Sequence, residues 1–339
     1  MKTIKLQIST LVILYSVPFG SLNAQANLYE LRSIVSYMSD DDKAGRKNGS
    51  QQSFLVSGWI EEYFETNGLV HFNNDFLQDY SYINRDGDTI RERNVVGLLP
   101  GCGSGDYNYI ILSAHFDHLG IISGEADSIY NGANDDATGV AMILSLIKEL
   151  KQIQEREYNV IFVAYSGEEE GLCGSAYFAT NLPVPQQKIQ LNLNFEMLGR
   201  TGCINPYNYF ITGLNYTNLK DVILEVNNNE KWSLDTSADN NLLFLRSDNY
   251  SLVRASLDDP VKIPAHTVSV DSDNSKSYHT PGDAAGAIDY ENLLNLVGYS
   301  ARLIDHIGRN RIEIRWLKEI QYEFEIESDG MKFQLKIQK

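Results

Sequence analysis

The segment Ser166–Ser175, SGEEEGLCGS, sets three consecutive glutamates among small residues directly after the apolar run NVIFVAY. Carboxylates grouped at the mouth of a buried strand repel one another and lose solvation, so a cation or a reaction is needed to make use of them. Three other polar clusters follow apolar runs in the same way, and a fourth, NGANDDATG, lies in the loop before the helix at Val140. HFDHLG brings His115, Asp117 and His118 after YIILSA, and NGANDDATG brings Asn134, Asp135 and Asp136. Glu196 follows IQLNLNF, and SYHTPGD, beyond IPAHTVSV, brings His279 and Asp283. Histidine nitrogen and carboxylate oxygen are the mixed ligands that zinc takes, and a catalytic zinc keeps one position open for water. Two ions about 3.5–4 Å apart require a bridging carboxylate and further ligands on each side. In this inventory His115 and Glu196 suit one ion, Glu169 and His279 suit the other, and Asp135 suits the bridge. Asp117, two residues from His115, is placed by strand alternation to hold the other imidazole nitrogen. Glu168 is left without an ion, free to carry a proton.

These side chains need a scaffold that brings distant segments to one place. Apolar residues recur at helical spacing over 26–38 and 53–65, around the polar loop DDDKAGRKNGS. Residues 69–99 alternate and predict a strand that runs into a turn at 100–105. YIILSA, at 109–114, is a continuous apolar run suited to a strand covered on both faces. A helix from about Thr138 to Gln154, a strand over 159–165, a short helix over 175–180 and a strand over 189–195 follow in turn. Strand, helix and strand in alternation predict an α/β fold, with helices on both faces of a mixed, mostly parallel sheet and functional residues beyond the carboxyl ends of its strands. Farther on, YNYFITG predicts a strand, 219–227 a helix, IPAHTVSV a strand and 288–307 an amphipathic helix. The tail alternates about Ser-Asp-Gly and predicts a terminal β-hairpin.

Composition limits the partners. With 339 residues, 43% of them apolar, the chain is long enough to bury a full core, and no repeat or low-complexity linker divides it. Residues 1–24 carry two lysines, an apolar segment and then small residues, the pattern of a secretory signal peptide cleaved after Ala24 or Ala26. The expected organisation is that leader, one domain over 27–310 and a C-terminal extension over 311–339. The expected destination is the periplasm or the medium, with no membrane span. A net charge of −17 argues against nucleic acid or an anionic membrane as partner and favours cations. The three cysteines, Cys102, Cys173 and Cys203, are too few for a disulfide framework but allow one bridge in an oxidising compartment.

HFDHLG, GANDDATG, SGEEEGLCGS, NFEMLGR and YHTPGD, in this order and spacing, resemble the co-catalytic zinc aminopeptidase family that includes bacterial leucyl aminopeptidases and glutamate carboxypeptidase. AGRKNGS and NVVGLLPG extend the likeness over roughly residues 28–308. Each motif alone is weak, whereas the ordered set is highly specific. The resemblance implies a three-layer α/β/α zinc-peptidase domain, two Zn2+ per chain and peptide substrates with a free N-terminus. It implies His115, Asp135, Glu169, Glu196 and His279 as zinc ligands, Glu168 as the general base acting on zinc-activated water, Asp117 as the orienter of His115, and a cis peptide between Asp135 and Asp136. Glu196 departs from the family, where many relatives carry aspartate, and its extra methylene sets the carboxylate farther out.

Other members of the clusters have blander readings. His118 is expected to pack against its loop, Asp136 to cap a helix, Glu170 to be solvated or structural, and Cys173 to fill a small core space. His71, His266 and His306 are expected to be structural or exposed. RSDNY, 246–250, resembles a family stretch near the substrate pocket. Three other functions share some of these features. A glutaminyl cyclase of the same fold uses one zinc, a carboxypeptidase for acidic dipeptides carries large additional domains, and a non-catalytic peptidase-like ectodomain loses ligand residues.

Overall fold

Successive side chains of the central strands enter two different cores. In the strand Tyr109–His115, Ile110, Leu112 and Ala114 pack on one side and Ile111 on the other. In the neighbouring strand Asn159–Tyr165, Val160, Phe162 and Ala164 take the first side, and Ile161, Val163 and Tyr165 the second. Strands buried on both faces need cover on both, so the fold has three layers. The computed structural model describes residues 26–124, 127–200, 208–226, 232–236, 241–257, 259–270, 276–317, 325–328 and 331–334. The leader expected over 1–24 and Cys203 lie outside the described residues, as do Asp329 and Gly330.

In chain order the strands are β1 (Leu77–Ile83), β2 (Thr89–Leu99), β3 (Tyr109–His115), β4 (Gly120–Ile121), β5 (Ile129–Tyr130) and β6 (Asn159–Tyr165). They continue with β7 (Ile189–Phe195), β8 (Asn208–Ile211), β9 (Ser233–Leu234), β10 (Ala265–Ser269), β11 (Glu325–Ser328) and β12 (Met331–Gln334). The main sheet has the order β1-β2-β6-β3-β7-β10-β8-β9. Its centre, β6, β3, β7 and β10, is parallel, while β1, β2 and β8 pair antiparallel with their neighbours toward the centre. This is the expected mixed sheet. The parallel centre sets the carboxyl ends of β3, β6, β7 and β10 at one edge.

Helices α1 (Leu28–Met38), α2 (Gln51–Thr66), α3 (Thr138–Lys151), α5 (Leu219–Val226) and α8 (Tyr290–Arg309) supply the larger core. The opposite core is covered by α4 (Cys173–Thr180), α6 (Asn241–Leu245) and α7 (Asn249–Ala255). Local sequence explains the starts of several. The side chains of Asn27, Ser50 and Asp289 accept backbone N–H bonds from Glu30, Ser53 and Asn292, which caps α1, α2 and α8. In α1 the buried Leu31, Ile34, Val35 and Met38 fall on one stripe.

One expectation changes. Residues 69–99 form two strands rather than one, because the polar run Asn84–Asp88, with Asp86-Gly87 at its centre, breaks the alternation into a hairpin; Gly87 takes φ +89° and the Asn84 N–H donates to the Asp88 carbonyl. RSDNY runs into the helix α7. The C-terminal hairpin forms as expected, with Ser328 opposite Met331. Cys102 and Cys173 are both free thiols. Among the described residues, no helix is long and apolar enough to cross a membrane.

Candidate metal centre

His115 is the last residue of β3, Glu168 and Glu169 follow β6 by three and four positions, and Glu196 directly follows β7. Asp135 reaches the same edge from the turn that opens α3, and its peptide bond to Asp136 is cis, as the resemblance implies. A network of buried hydrogen bonds fixes that turn. The Asp283 carboxylate accepts the N–H groups of Asn134, at 2.9 Å, and of Asp135, at 3.0 Å. Asp136 accepts from Gly139 in α3 at 2.9 Å, the expected cap, and also from Met197 at 3.1 Å. The next two N–H groups, of Leu198 and Gly199, donate to Thr138 Oγ1 and Asn134 Oδ1. The turn before α3 is thereby tied to the segment after β7. Met197 and His279 both adopt left-handed backbone conformations, φ +55° and +51°, which cost energy for a side-chain residue and concentrate at functional sites.

Arg46, from AGRKNGS, is fully buried beneath this edge. Its guanidinium donates to the carbonyls of Phe116 at 2.6 Å, Met38 at 2.7 Å, Asn131 at 2.7 Å and Gly132 at 2.9 Å. One side chain thus holds the two turns that present His115, His118 and Asp135. Burial lowers its pKa to about 10, with Asp117 and Asp283 opposing the shift, so the group stays charged near neutral pH.

The ligand-type atoms converge on one region. His115 Nε2 lies 3.2 Å from Asp135 Oδ1, and His279 Nε2 lies 3.3 Å from Asp135 Oδ2 and 3.2 Å from Glu169 Oε2. Asp135 therefore faces His115 with one oxygen and His279 with the other, the placement a bridging carboxylate needs. His118, expected to pack against its loop, sits within the cluster instead, with Nδ1 2.8 Å from Glu169 Oε1. Ligand atoms of His118, Asp135, Glu169 and His279 all fall within 4.8 Å of one another. Asp117 lies between two partners. His115 Nδ1 is 3.2 Å from its carbonyl and 3.5 Å from its carboxylate, whose two oxygens accept the N–H groups of Glu168 and Glu169.

Glu196 is near enough for its charge to act on His115 and Asp135, yet its carboxylate is engaged from the other side by the Ser247 hydroxyl and the Asn194 amide. The Asn194 amide also donates to the Ser247 and Thr267 hydroxyls, and Thr267 donates to Asn249 at 2.8 Å. The RSDNY segment thus supports Glu196 through Ser247 and Asn249. Sequence reading had linked RSDNY only to a pocket.

Electrostatics divides the acids. Burial pushes the Glu168 carboxyl well above its usual range, reinforced by Glu196 and Glu169, and pushes Glu196 up to about 7. Asp248, from RSDNY and also buried, is pushed up to about 7 by burial. Burial works in the same direction on Asp135 and Glu169, but the imidazoles around them prevail and both are lowered. His279, whose charge burial disfavours, is raised to about 9 by Asp135 and Glu169. His115 Nε2, both nitrogens of His118, Glu169 Oε1 and His279 Nε2 are buried without an aligned hydrogen bond. Buried polar atoms left unaligned around one point, in a set of imidazoles and carboxylates, fit a zinc-type cation.

A family model described as "Peptidase family M28" matches residues 94–303, more than half of the chain, and spans the turns described above. The chain belongs to peptidase family M28. An aminopeptidase of Bacillus subtilis is 24% identical to this M28 chain over 213 residues, covering 59% of the chain and 41% of the relative. The chain spans less than half the length of the curated relatives it matches. Among solved structures, a zinc aminopeptidase from Bacillus subtilis superposes with a TM-score of 0.65 at 13% identity, over 85% of this chain and 96% of its own. Porphyromonas gingivalis glutaminyl cyclase gives 0.62 at 16% identity, over 82% and 98%. At these identities the two structures bear on fold. The M28 fold explains why ligand-type residues so far apart in sequence meet at one sheet edge.

Of the residues singled out from sequence, His115, Asp117, Asp135, Glu168, Glu169, Glu196 and His279 all meet here. His71 is exposed and His306 half-buried, while His266 is buried against Thr217 and Thr212. His118, expected to pack against its loop, has its ring beside Glu169. Its spacing to His115 in HFDHLG was the available signal, but only the course of the chain after β3 shows where its ring goes.

Proposed function

We propose that this chain is a zinc-dependent aminopeptidase that removes residues from the N-terminus of peptides, with two zinc ions held by His115, Asp135, Glu169, Glu196 and His279. The observation that carries the reading is Asp135, whose two carboxylate oxygens face His115 at 3.2 Å and His279 at 3.3 Å. Zinc at this place supplies Lewis acidity, lowering the pKa of water and polarising a carbonyl oxygen. The chain's own residues do the rest. Glu168, raised by burial, is suited to take a proton from the attacking water and return it to the leaving amine. Asp117 fixes the Glu168 backbone and the His115 ring together. The cluster of carboxylates gives the substrate's ammonium terminus an anionic surface, and His279, 31% exposed, marks the side from which it enters.

Glutaminyl cyclisation is the second reading, supported by a fold match of similar quality. Peptides beginning with glutamine distinguish the two, since hydrolysis releases free glutamine and cyclisation releases ammonia. For the base, Glu168→Gln keeps shape and removes proton transfer. Turnover of aminoacyl anilides should fall by about 10²–10⁴-fold with zinc content unchanged. Turnover near that of the unmodified protein would remove Glu168 from the mechanism.

A further inference from the structure

We propose that His118 is a protein ligand of the ion held by Asp135, Glu169 and His279, so that this ion has four protein ligands while the ion beside His115 and Glu196 has three. The inference rests on the zinc site proposed above and adds a residue and an asymmetry to it. Three observations support it.

The first is geometric. A tetrahedral zinc with bonds of about 2.0–2.1 Å sets its ligand atoms about 3.3 Å apart. Around the candidate point, His118 Nδ1 is 2.8 Å from Glu169 Oε1 and 3.9 Å from Asp135 Oδ2, and His279 Nε2 is 3.2 Å from Glu169 Oε2 and 3.3 Å from Asp135 Oδ2. The two imidazoles face different oxygens of Glu169 and the same oxygen of Asp135, and one ligand atom from each of the four residues can be chosen within 4.8 Å of the others. The two imidazoles meet edge to face at 72°, with centroids 5.6 Å apart.

The second concerns satisfaction. His118 is 1% exposed and neither ring nitrogen makes an aligned hydrogen bond. A histidine that only packs would be expected to place at least one nitrogen against a hydrogen-bonding partner. His118 Nδ1 and Glu169 Oε1 approach to 2.8 Å, yet neither atom makes an aligned hydrogen bond.

The third is the room made for the ring. Gly132 takes φ +57°, and a Cβ there would stand 2.6 Å from His118 Cγ and 2.3 Å from the Asp135 carbonyl oxygen. Glycine therefore lets the imidazole and the Asp135 turn close on the same point. The Gly132 carbonyl is in turn held by Arg46.

Four protein ligands make a closed site, and three leave an open position. The first zinc equivalent should therefore occupy the His118 side. X-ray absorption of the protein loaded with one zinc per chain should show two imidazoles per ion, and a chromophoric chelator in competition should show two affinity classes. In His118→Ala the tighter class should weaken on the order of a hundredfold or more, and the absorption should show one imidazole fewer. One imidazole per zinc in the unmodified singly loaded protein would overturn the inference even if the variant failed to fold, and so would unchanged affinity in a folded variant. Both of these results leave the zinc reading intact. A protein that binds no zinc at all overturns both.

Discussion

Asp117 shows how much of the site is held by a residue that need not touch a substrate. Its two oxygens accept the N–H groups of Glu168 and Glu169, at 3.2 and 3.3 Å, while its carbonyl and carboxylate face His115 Nδ1. It therefore fixes the direction of one imidazole and two glutamates at once. Asp117→Asn keeps the volume but turns one oxygen into a donor set against N–H groups. Zinc affinity should fall about 10–100-fold, as for other residues that orient ligands, with far-UV circular dichroism unchanged. A chelator-competition titration measures it, and affinity equal to that of the unmodified protein would assign Asp117 to the backbone alone. At this scale the sequence was informative about type and less so about direction. Alternation after β3 placed Asp117 beside His115 correctly, but its bonds to the Glu168 and Glu169 amides depend on β6 lying next to β3. The place of the His118 ring beside Glu169 was hidden for the same reason: a three-residue interval in a non-helical turn says nothing of where the second ring points.

At the scale of elements, the strands that end in ligands were legible because each is an apolar run closed by a polar cluster, and a parallel sheet puts such ends together. The turns between them were not. Arg46 belongs to a short 3-10 segment, Asp41–Arg46, whose sequence reads as a polar loop, yet its side chain is buried and satisfies carbonyls from three different segments. Charged hydrogen bonds of this kind contribute about 1.5–3 kcal/mol each, and removing the donor leaves the buried carbonyls unsatisfied. Arg46→Met should therefore destabilise the fold by about 3 kcal/mol or more in urea unfolding, and should also weaken zinc binding. Arg46→Lys restores the charge but not the planar fork, so it should recover only part of the loss. Full recovery by lysine would show that charge, rather than the fork, is what this position requires. The hairpin at Asn84–Asp88 and helices α6 and α7 were missed on different grounds. The first carried a signal, the Asp86-Gly87 pair in a polar run, that the reading of 69–99 as one strand passed over, and the helices are too short for a 3.6-residue period to show.

For the whole molecule, the candidate ligands extend from His115 to His279 and come from turns that also pin α3 and the segments after β6 and β7. A cation here would join pieces of chain that are far apart when unfolded, and it would bind the folded state alone. The stabilisation expected is RT ln(1 + [Zn]/Kd), about 4 kcal/mol when free zinc is a thousandfold above Kd. In a domain of this size that corresponds to roughly 5–10 °C in melting temperature. Removing metal with a strong chelator should therefore lower the melting temperature by that amount, and adding back zinc should restore it. Magnesium should not, because it prefers an all-oxygen shell and two to three of the candidate ligands are imidazoles. Differential scanning calorimetry of the three samples gives the answer. Equal melting temperatures with and without chelator would mean that the buried imidazoles and carboxylates balance one another without an ion, through the charge on His279 that Asp135 and Glu169 already favour.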